Sequence, residues 1–295
     1  MEHNNRHHYN LSELDDPDLV ENNLTDIREM RAPLLIKYLM VFVAAITWKW
    51  FYYSPNTYKE LKLAKLRREG KPIPSGVNPS DAVTIRSLIT EGSPFYSIWE
   101  LLMVVLAPYL IIHFFLLPLP WLFIGQYLGV GKNYYMAAVK NLFLAELLTN
   151  LHGFVAVVTN HAGDDMYRFR YGCRPFSGSF FLRQVIASVD FHMGTDLIDF
   201  LHGFLNYQIE HHLWPNLSML SYQKSAPLVR EICDKHGIPY LKQNVFARVK
   251  KTVDIMVGNT SMRWFPEDYE KALLELDAKA EQSKKYTSVG TATSS

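Results

Sequence analysis

Cysteine is nearly missing from this chain. Cys173 and Cys233 are the only two in 295 residues, too few for a disulfide framework or a thiolate-built metal site, and they suit a reducing, cytosol-facing environment. A dominant charge is missing too: 30 Lys and Arg against 29 Asp and Glu leave a formal net charge of +1, which gives no electrostatic reason to expect nucleic acid. No Gly-rich dinucleotide fingerprint, Pro-rich linker or internal repeat occurs. The first thirty residues are polar and acidic, so a cleavable signal peptide is not expected.

Apolar runs, by contrast, are plentiful. The chain is 48% hydrophobic and 14% aromatic, with Trp, Tyr and Phe crowded at the edges of the apolar stretches, the pattern of membrane spans with interfacial belts. Residues 97–124 exceed the ~20 residues that a bilayer needs, with Pro108 as the expected kink. Residues 134–158 are long enough as well; Lys140, Asn141, Glu146, Asn150 and His152 give them a polar side that should face protein. Residues 34–53 carry Lys37, Lys49, Trp48, Trp50, Phe51, Tyr52 and Tyr53 and read as a span or as a helix lying in the interface. The fold class expected is all-α: integral membrane helices with a cytosolic, histidine-rich helical cap.

The chemistry is concentrated in two short stretches. In Asn206-Tyr207-Gln208-Ile209-Glu210-His211-His212-Leu213-Trp214-Pro215, a helix projects Gln208, His211 and His212 into one sector, while the adjacent imidazoles still diverge by about 100°. A splayed pair can hand one ring to each of two neighbouring ions, and imidazole suits iron, copper, zinc or nickel. Alone, such a doublet is as often a polar helix end. The same device opens the chain, however, as Met1-Glu2-His3-Asn4-Asn5-Arg6-His7-His8, with His3 and His7 four apart and His8 splayed. An affinity tag is an unbroken histidine run, and this is not one.

These two boxes, the first continuing into an acidic stretch that ends at Glu21, resemble those of the membrane fatty acid desaturase family. That family carries a first box of two histidines separated by three residues, a second of His followed by His-His, and a third of His or Gln followed by His-His. Here His3, His7 and His8 look like the second box, and Gln208, His211 and His212 like the third. The Gln, with its Tyr-Gln-Ile-Glu-His-His-Leu-Trp-Pro setting, looks most like the front-end acyl desaturases and their sphingolipid relatives.

The resemblance implies two non-haem iron ions held by His3, His7, His8, His211, His212 and His161, the last matching an extra family ligand just past a span. On its own, a histidine after an apolar helix is more often an interfacial residue. Gln208 is a possible further ligand. Asn160 would orient His161 or hold a metal-bound water, and Asp164 and Asp165 would accept imidazole N–H groups. Also implied are desaturation of an acyl lipid or acyl thioester and electrons from cytochrome b5 or ferredoxin. The expected setting is the endoplasmic reticulum membrane with cytosolic boxes, or a plastid membrane. No His-x-x-x-His precedes the second box, and His113, His152, His161, His192, His202 and His236 form no such pair. The chain therefore reads as the C-terminal two-thirds of a desaturase, with residues 1–250 as that domain and 251–295 as a cytosolic helix and tail. No His-Pro-Gly-Gly haem signature of a fused cytochrome b5 is present. A related fatty acyl hydroxylase and a non-catalytic lipid-binding or partner protein are the alternatives.

If both boxes serve one metal pair, the chain crosses the membrane an even number of times between them. Two spans plus an interfacial helix over 34–53 satisfy this and leave the basic stretch 59–71 on the cytosolic side. His113 should face a neighbouring helix and His152 should pack. His192 and His202 should not be ligands, while acidic residues around them, Asp190 and Asp199, could buttress the third box. Residues 221–235 read as an amphipathic helix with Leu228, Val229 and Ile232 inward and Gly237 past its end. A charged helix is expected over 265–283 and a disordered tail over 288–295.

Overall fold

A computed structural model describes residues 6–75, 78–79, 82–84, 87–91, 95–193 and 195–292. Helices dominate. After α1 (Val20–Asn23) and α2 (Thr25–Glu29) come three helices long and apolar enough to cross a membrane: α3 (Leu34–Arg68), α4 (Ile98–Tyr127) and α5 (Asn133–Val158). Further helices follow: α6 (Gly178–Ile186), α7 (Asp196–Leu201), α8 (Gln208–Leu213), α9 (Met219–His236), α10 (Val245–Val257) and α11 (Glu267–Ala292). Four two-residue strands pair in parallel, β1 (Tyr167–Arg168) with β4 (Arg263–Trp264), and β2 (Asp190–Phe191) with β3 (Lys242–Gln243). The chain divides into two compact units, Tyr38–Phe154 and the remainder, Met1–Lys37 with Val155–Ser295.

In the unit Tyr38–Phe154, apolar side chains point outward from the three long helices: Leu39, Val43, Met103, Phe115, Leu144 and Leu148 are all exposed, the pattern that lipid contact selects. Pro108 does not simply kink α4. It begins a short α-helical stretch, Ala107–Ile111, between two π-helical ones, Leu101–Leu106 and Ile112–Leu116. A proline has no N–H to give, so the helix pairing around it shifts. The expected polar side of α5 is narrower than its sequence suggested. Glu146 and Asn150, one turn apart, are buried, whereas Lys140, Asn141 and His152 are exposed. Lys49 Nζ donates to Glu146 Oε1 at 2.6 Å and Tyr109 Oη to Oε2 at 2.8 Å. His113 stacks on Tyr109 with its Nε2 3.7 Å from Glu146, so it faces a neighbouring helix as expected. Gly125 permits the tight turn into α5, because its carbonyl accepts from Val130 and Gly131, and a Cβ there would meet the Gly131 carbonyl.

The unit formed by 1–37 and 155–295 is built around short, well-marked helices. Ser177, Thr195, Ser218 and Asn244 cap α6, α7, α9 and α10 through their side-chain oxygens, and Gly237 and Gly258 end α9 and α10 at φ 66° and 85°. Ile209 and Leu213 of α8 pack on Val185, Val229 and Cys233, while Leu11 packs with Phe169, Ile186 and Ala187. The inward face of α9 differs from the expected one. Tyr222, Ala226, Val229 and Cys233 are buried, but Leu228 and Ile232 are about 60% exposed. The buried set repeats at i, i+4, i+7 and i+11, a helical stripe in which a tyrosine and a cysteine replace the aliphatic residues that the sequence reading favoured. The domain boundary expected at residue 250 falls inside α10. Helix α11 extends to Ala292, so the tail expected over 288–295 is helical as far as the described residues go.

Candidate metal centre

Three stretches far apart in sequence bring five imidazoles together. His7 and His8 come from the N-terminal segment, His161 from the turn after α5, and His211 and His212 from α8. Ring centroids lie 4.7 Å apart for His7 and His161, 5.0 Å for His161 and His212, 4.5 Å for His8 and His212, and 4.7 Å for His8 and His211. Donor nitrogens of His7, His161 and His212 fall within 4.8 Å of one another. His3, expected to join them, lies outside the described residues.

Several of the histidines are held by recognisable devices. His7 Nδ1 bonds Asp16 Oδ1 at 2.8 Å; the carboxylate holds the proton on Nδ1 and so puts the ring's lone pair on Nε2. Asp16 is itself fixed by the N–H groups of Ser12 and Asp18. Burial disfavours the charged His7 ring, but Asp16, with Asp18 farther off, outweighs it and draws its pKa up. The His8 carbonyl accepts from Gln184. His211 Nδ1 lies 3.3 Å from the Tyr222 hydroxyl. Helix α8 is only six residues long and is anchored from outside, since Asp190 Oδ1 accepts from the Ile209 N–H at 2.9 Å. Asp199 takes Asn206 Nδ2 at 2.6 Å and Tyr207 Oη at 2.7 Å. Asp190 and Asp199 thus buttress the third box. Behind it, the Tyr240 hydroxyl contacts both Asp190 and Glu210, and burial, with mutual repulsion, pushes the Asp190 carboxyl well up.

Gln208 is part of the cluster. Its amide nitrogen donates to His161 Nε2 at 2.9 Å, and its oxygen accepts from Asn160 Nδ2 at 3.1 Å. Asn160 therefore orients Gln208 and, through it, His161. Asp164 and Asp165 depart from the expected role: instead of an imidazole, Asp165 faces Arg248 at 2.7 Å and Lys251 at 2.6 Å, and Asp164 faces Lys251 at 3.2 Å. The basic residues of α10 claim them first. The acceptor that does reach an imidazole is Asp16, nine residues after His7 in the acidic stretch following the box. Arg248, Tyr240 and Gln184 carried no sequence signal, because their roles depend on distant packing.

His212 shows what the cluster lacks. It is 1% exposed, both ring nitrogens are without hydrogen-bond partners among the described residues, and burial plus four neighbouring imidazoles hold its pKa well below the usual value. Asn160 Oδ1 is likewise buried and unpartnered. Leaving such a group unpaired costs roughly 1–3 kcal/mol, so neutral nitrogens aimed inward among other imidazoles are the donor set of a metal centre, and the residues fit one.

The family model for fatty acid desaturase matches residues 2–244, most of the chain. The chain belongs to the fatty acid desaturase family. It is 38% identical over 87 residues to a fatty acid desaturase 2-like protein of Mus musculus, covering 30% of this chain and 18% of that one. It is 37% identical over 75 residues to an NADPH-dependent stearoyl-CoA 9-desaturase of Mycobacterium tuberculosis, covering 25% and 17%. An sn-1 linoleoyl-lipid 6-desaturase of Arthrospira platensis matches at 37% over 65 residues, 22% of this chain and 18% of its own. The matched segments thus span under a fifth of these relatives. No solved structure matches the chain.

Proposed function

We propose that this desaturase-family protein is a membrane-bound, oxygen-dependent fatty acyl desaturase with two non-haem iron ions, forming a C=C bond in an acyl lipid or acyl thioester. The observation that carries the reading is the convergence of five imidazoles in two overlapping groups. His7, His161 and His212 form one and His8, His211 and His212 the other. Two groups meeting at His212 suit two ions side by side. His3 and Gln208 are the further donors of this proposal.

Iron held there supplies, with dioxygen, the oxidising power that an unactivated methylene pair demands. Removing two hydrogens while dioxygen becomes two waters requires two further electrons and two protons, and cytochrome b5 or ferredoxin is the proposed electron source. The protein's own part is positional. Asp16 sets the His7 tautomer, Tyr222 lies against His211, Asp190 and Asp199 hold α8, and burial keeps His212 neutral. Because residues 7 and 8 share a site with 161, 211 and 212, an even number of crossings joins Lys37 to Val155. Two of the three long helices then span and one lies in the interface. The membrane is that of the endoplasmic reticulum with the cluster on the cytosolic side, a plastid membrane being the alternative.

The test is expression in yeast membranes fed with fatty acids, with lipids analysed by mass spectrometry. New double bonds that vanish in His212→Ala support the reading. Hydroxylated product would assign the related hydroxylase chemistry, and iron-loaded protein without product would assign a non-catalytic role.

A further inference from the structure

Helix α10 begins beyond residue 244, where the family match ends, yet it reaches the turn that carries His161. Arg248 and Thr252, one turn apart on α10, are both 0% exposed. The Thr252 hydroxyl lies 3.1 Å from the Thr159 carbonyl and 3.0 Å from the Ala162 carbonyl, the two that bracket Asn160 and His161. Arg248 Nη2 donates to the same Ala162 carbonyl at 2.7 Å, Nε to the Thr159 carbonyl at 3.5 Å, and Nη1 to Asp165 at 2.7 Å. Gly163 makes the approach possible: a Cβ there would lie 2.5 Å from Arg248 Nη2.

We infer that Arg248 and Thr252 are positioning residues for the metal centre, clamping the backbone on both sides of Asn160-His161 so that the imidazole meets His7 and His212. The inference rests on the reading of His161 as a ligand. It follows from geometry: the segment 159–163 has no regular secondary structure of its own, so its buried carbonyls need partners from elsewhere, and α10 supplies them. The clamp is also why Asp165 turns away from the imidazoles, since its carboxylate completes the shell of the guanidinium. The functional part of the chain therefore extends at least to Thr252.

The experiment is metal retention by the full chain in detergent, read as metal per chain after dialysis against graded chelator, beside thermal unfolding of the metal-free protein. Thr252→Val removes the hydroxyl at constant volume and should weaken retention about tenfold, the lower end of what losing an outer support costs. Thr252→Ser should restore it. Arg248→Met should weaken it further, but that variant also takes the guanidinium from Asp165 and leaves it Lys251 and Gln243, so the decision rests on Thr252. In a His161→Ala background, Thr252→Val should add nothing, whereas a general packing defect would add its full loss. Wild-type retention by Thr252→Val, or an additive loss in the double variant, overturns the clamp. Unchanged retention in His161→Ala alone overturns the ligand reading instead.

Discussion

Two buried polar clusters, one in each unit, can be set side by side. Among the long helices, Glu146 has both oxygens engaged by Lys49 and Tyr109, with His113 close by, and four polar side chains satisfy one another. In the histidine unit, the His212 ring nitrogens and Asn160 Oδ1 are as deeply buried but have no hydrogen-bond partner among the described residues. Burying polar groups is costly in both places. The first cluster recovers that cost inside the protein and so acts as a pin between helices. The second does not, and its deficit has the chemical character of a metal site.

The largest effects should separate deficit from pin. His212→Leu, of similar volume, should abolish product and cut metal retention at least tenfold. The metal-free protein should be unharmed or stabilised by roughly 1 kcal/mol, because an unpaired buried polar group is gone. Chelator titration beside thermal unfolding checks both, and a less stable metal-free variant would mean that His212 is an ordinary packed side chain. Glu146→Leu should do the reverse. It leaves Lys49 without its carboxylate, bonded to the Tyr109 hydroxyl, and should lower stability by about 1–3 kcal/mol, less than a fully buried pair would cost because Lys49 is 37% exposed, while metal per chain stays at the wild-type value.

The contrast also explains what could be read in advance. The three long helices were visible because composition and length alone decide them. In the histidine unit the end of α9 was visible at Gly237, which closes it in the left-handed conformation. The two boxes stood out as spacings, and His161 through the family resemblance, which places an extra ligand just past a span. The supports were not legible. Asp16 reaches His7 from nearby, but Arg248 and Tyr240 act across 86 and 30 residues of chain, on a backbone carbonyl and a carboxylate that no spacing marks. Asp164 and Asp165 misled for the same reason: two carboxylates beside a histidine suggest an imidazole acceptor, and only folding reveals that α10 brings Arg248 and Lys251 to them. On α9, hydrophobicity chose Leu228 and Ile232 where the structure buries Tyr222 and Cys233.

A smaller effect probes the clamp through pH. Burial alone would raise the Asp165 carboxyl, but Arg248 and Lys251 overcome it and hold it below the usual carboxylate range. A depressed carboxyl stabilises the fold above its unfolded pKa, and the contribution disappears as pH falls through the folded value. Unfolding free energy should therefore fall more steeply below about pH 4 in wild type than in Asp165→Asn, which should begin lower at pH 7. Parallel curves would mean that the ion pair does not couple to folding.

The smallest effect concerns Cys173, which adjoins another fully satisfied cluster. Burial, opposed by Arg183 and reinforced by Glu13, pushes its thiol up to about 12. Arg183 lies 2.7 Å from Glu13 and 3.2 Å from Glu270, so its charge is already committed to two carboxylates and does little for a thiolate. At neutral pH the thiolate fraction should be on the order of a thousandfold below that of a free cysteine, and iodoacetamide labelling correspondingly slow. Glu13→Gln removes the nearest negative charge and frees Arg183 toward the sulfur, so labelling should quicken at a given pH without loss of bound metal. Equal rates in both proteins would show that access, rather than charge, protects the thiol. Loss of metal in Glu13→Gln would show that this ion-paired cluster and the histidine centre are one network, and the separation between satisfied and unsatisfied polar groups would fail where the two come closest in sequence, between His8 and Glu13.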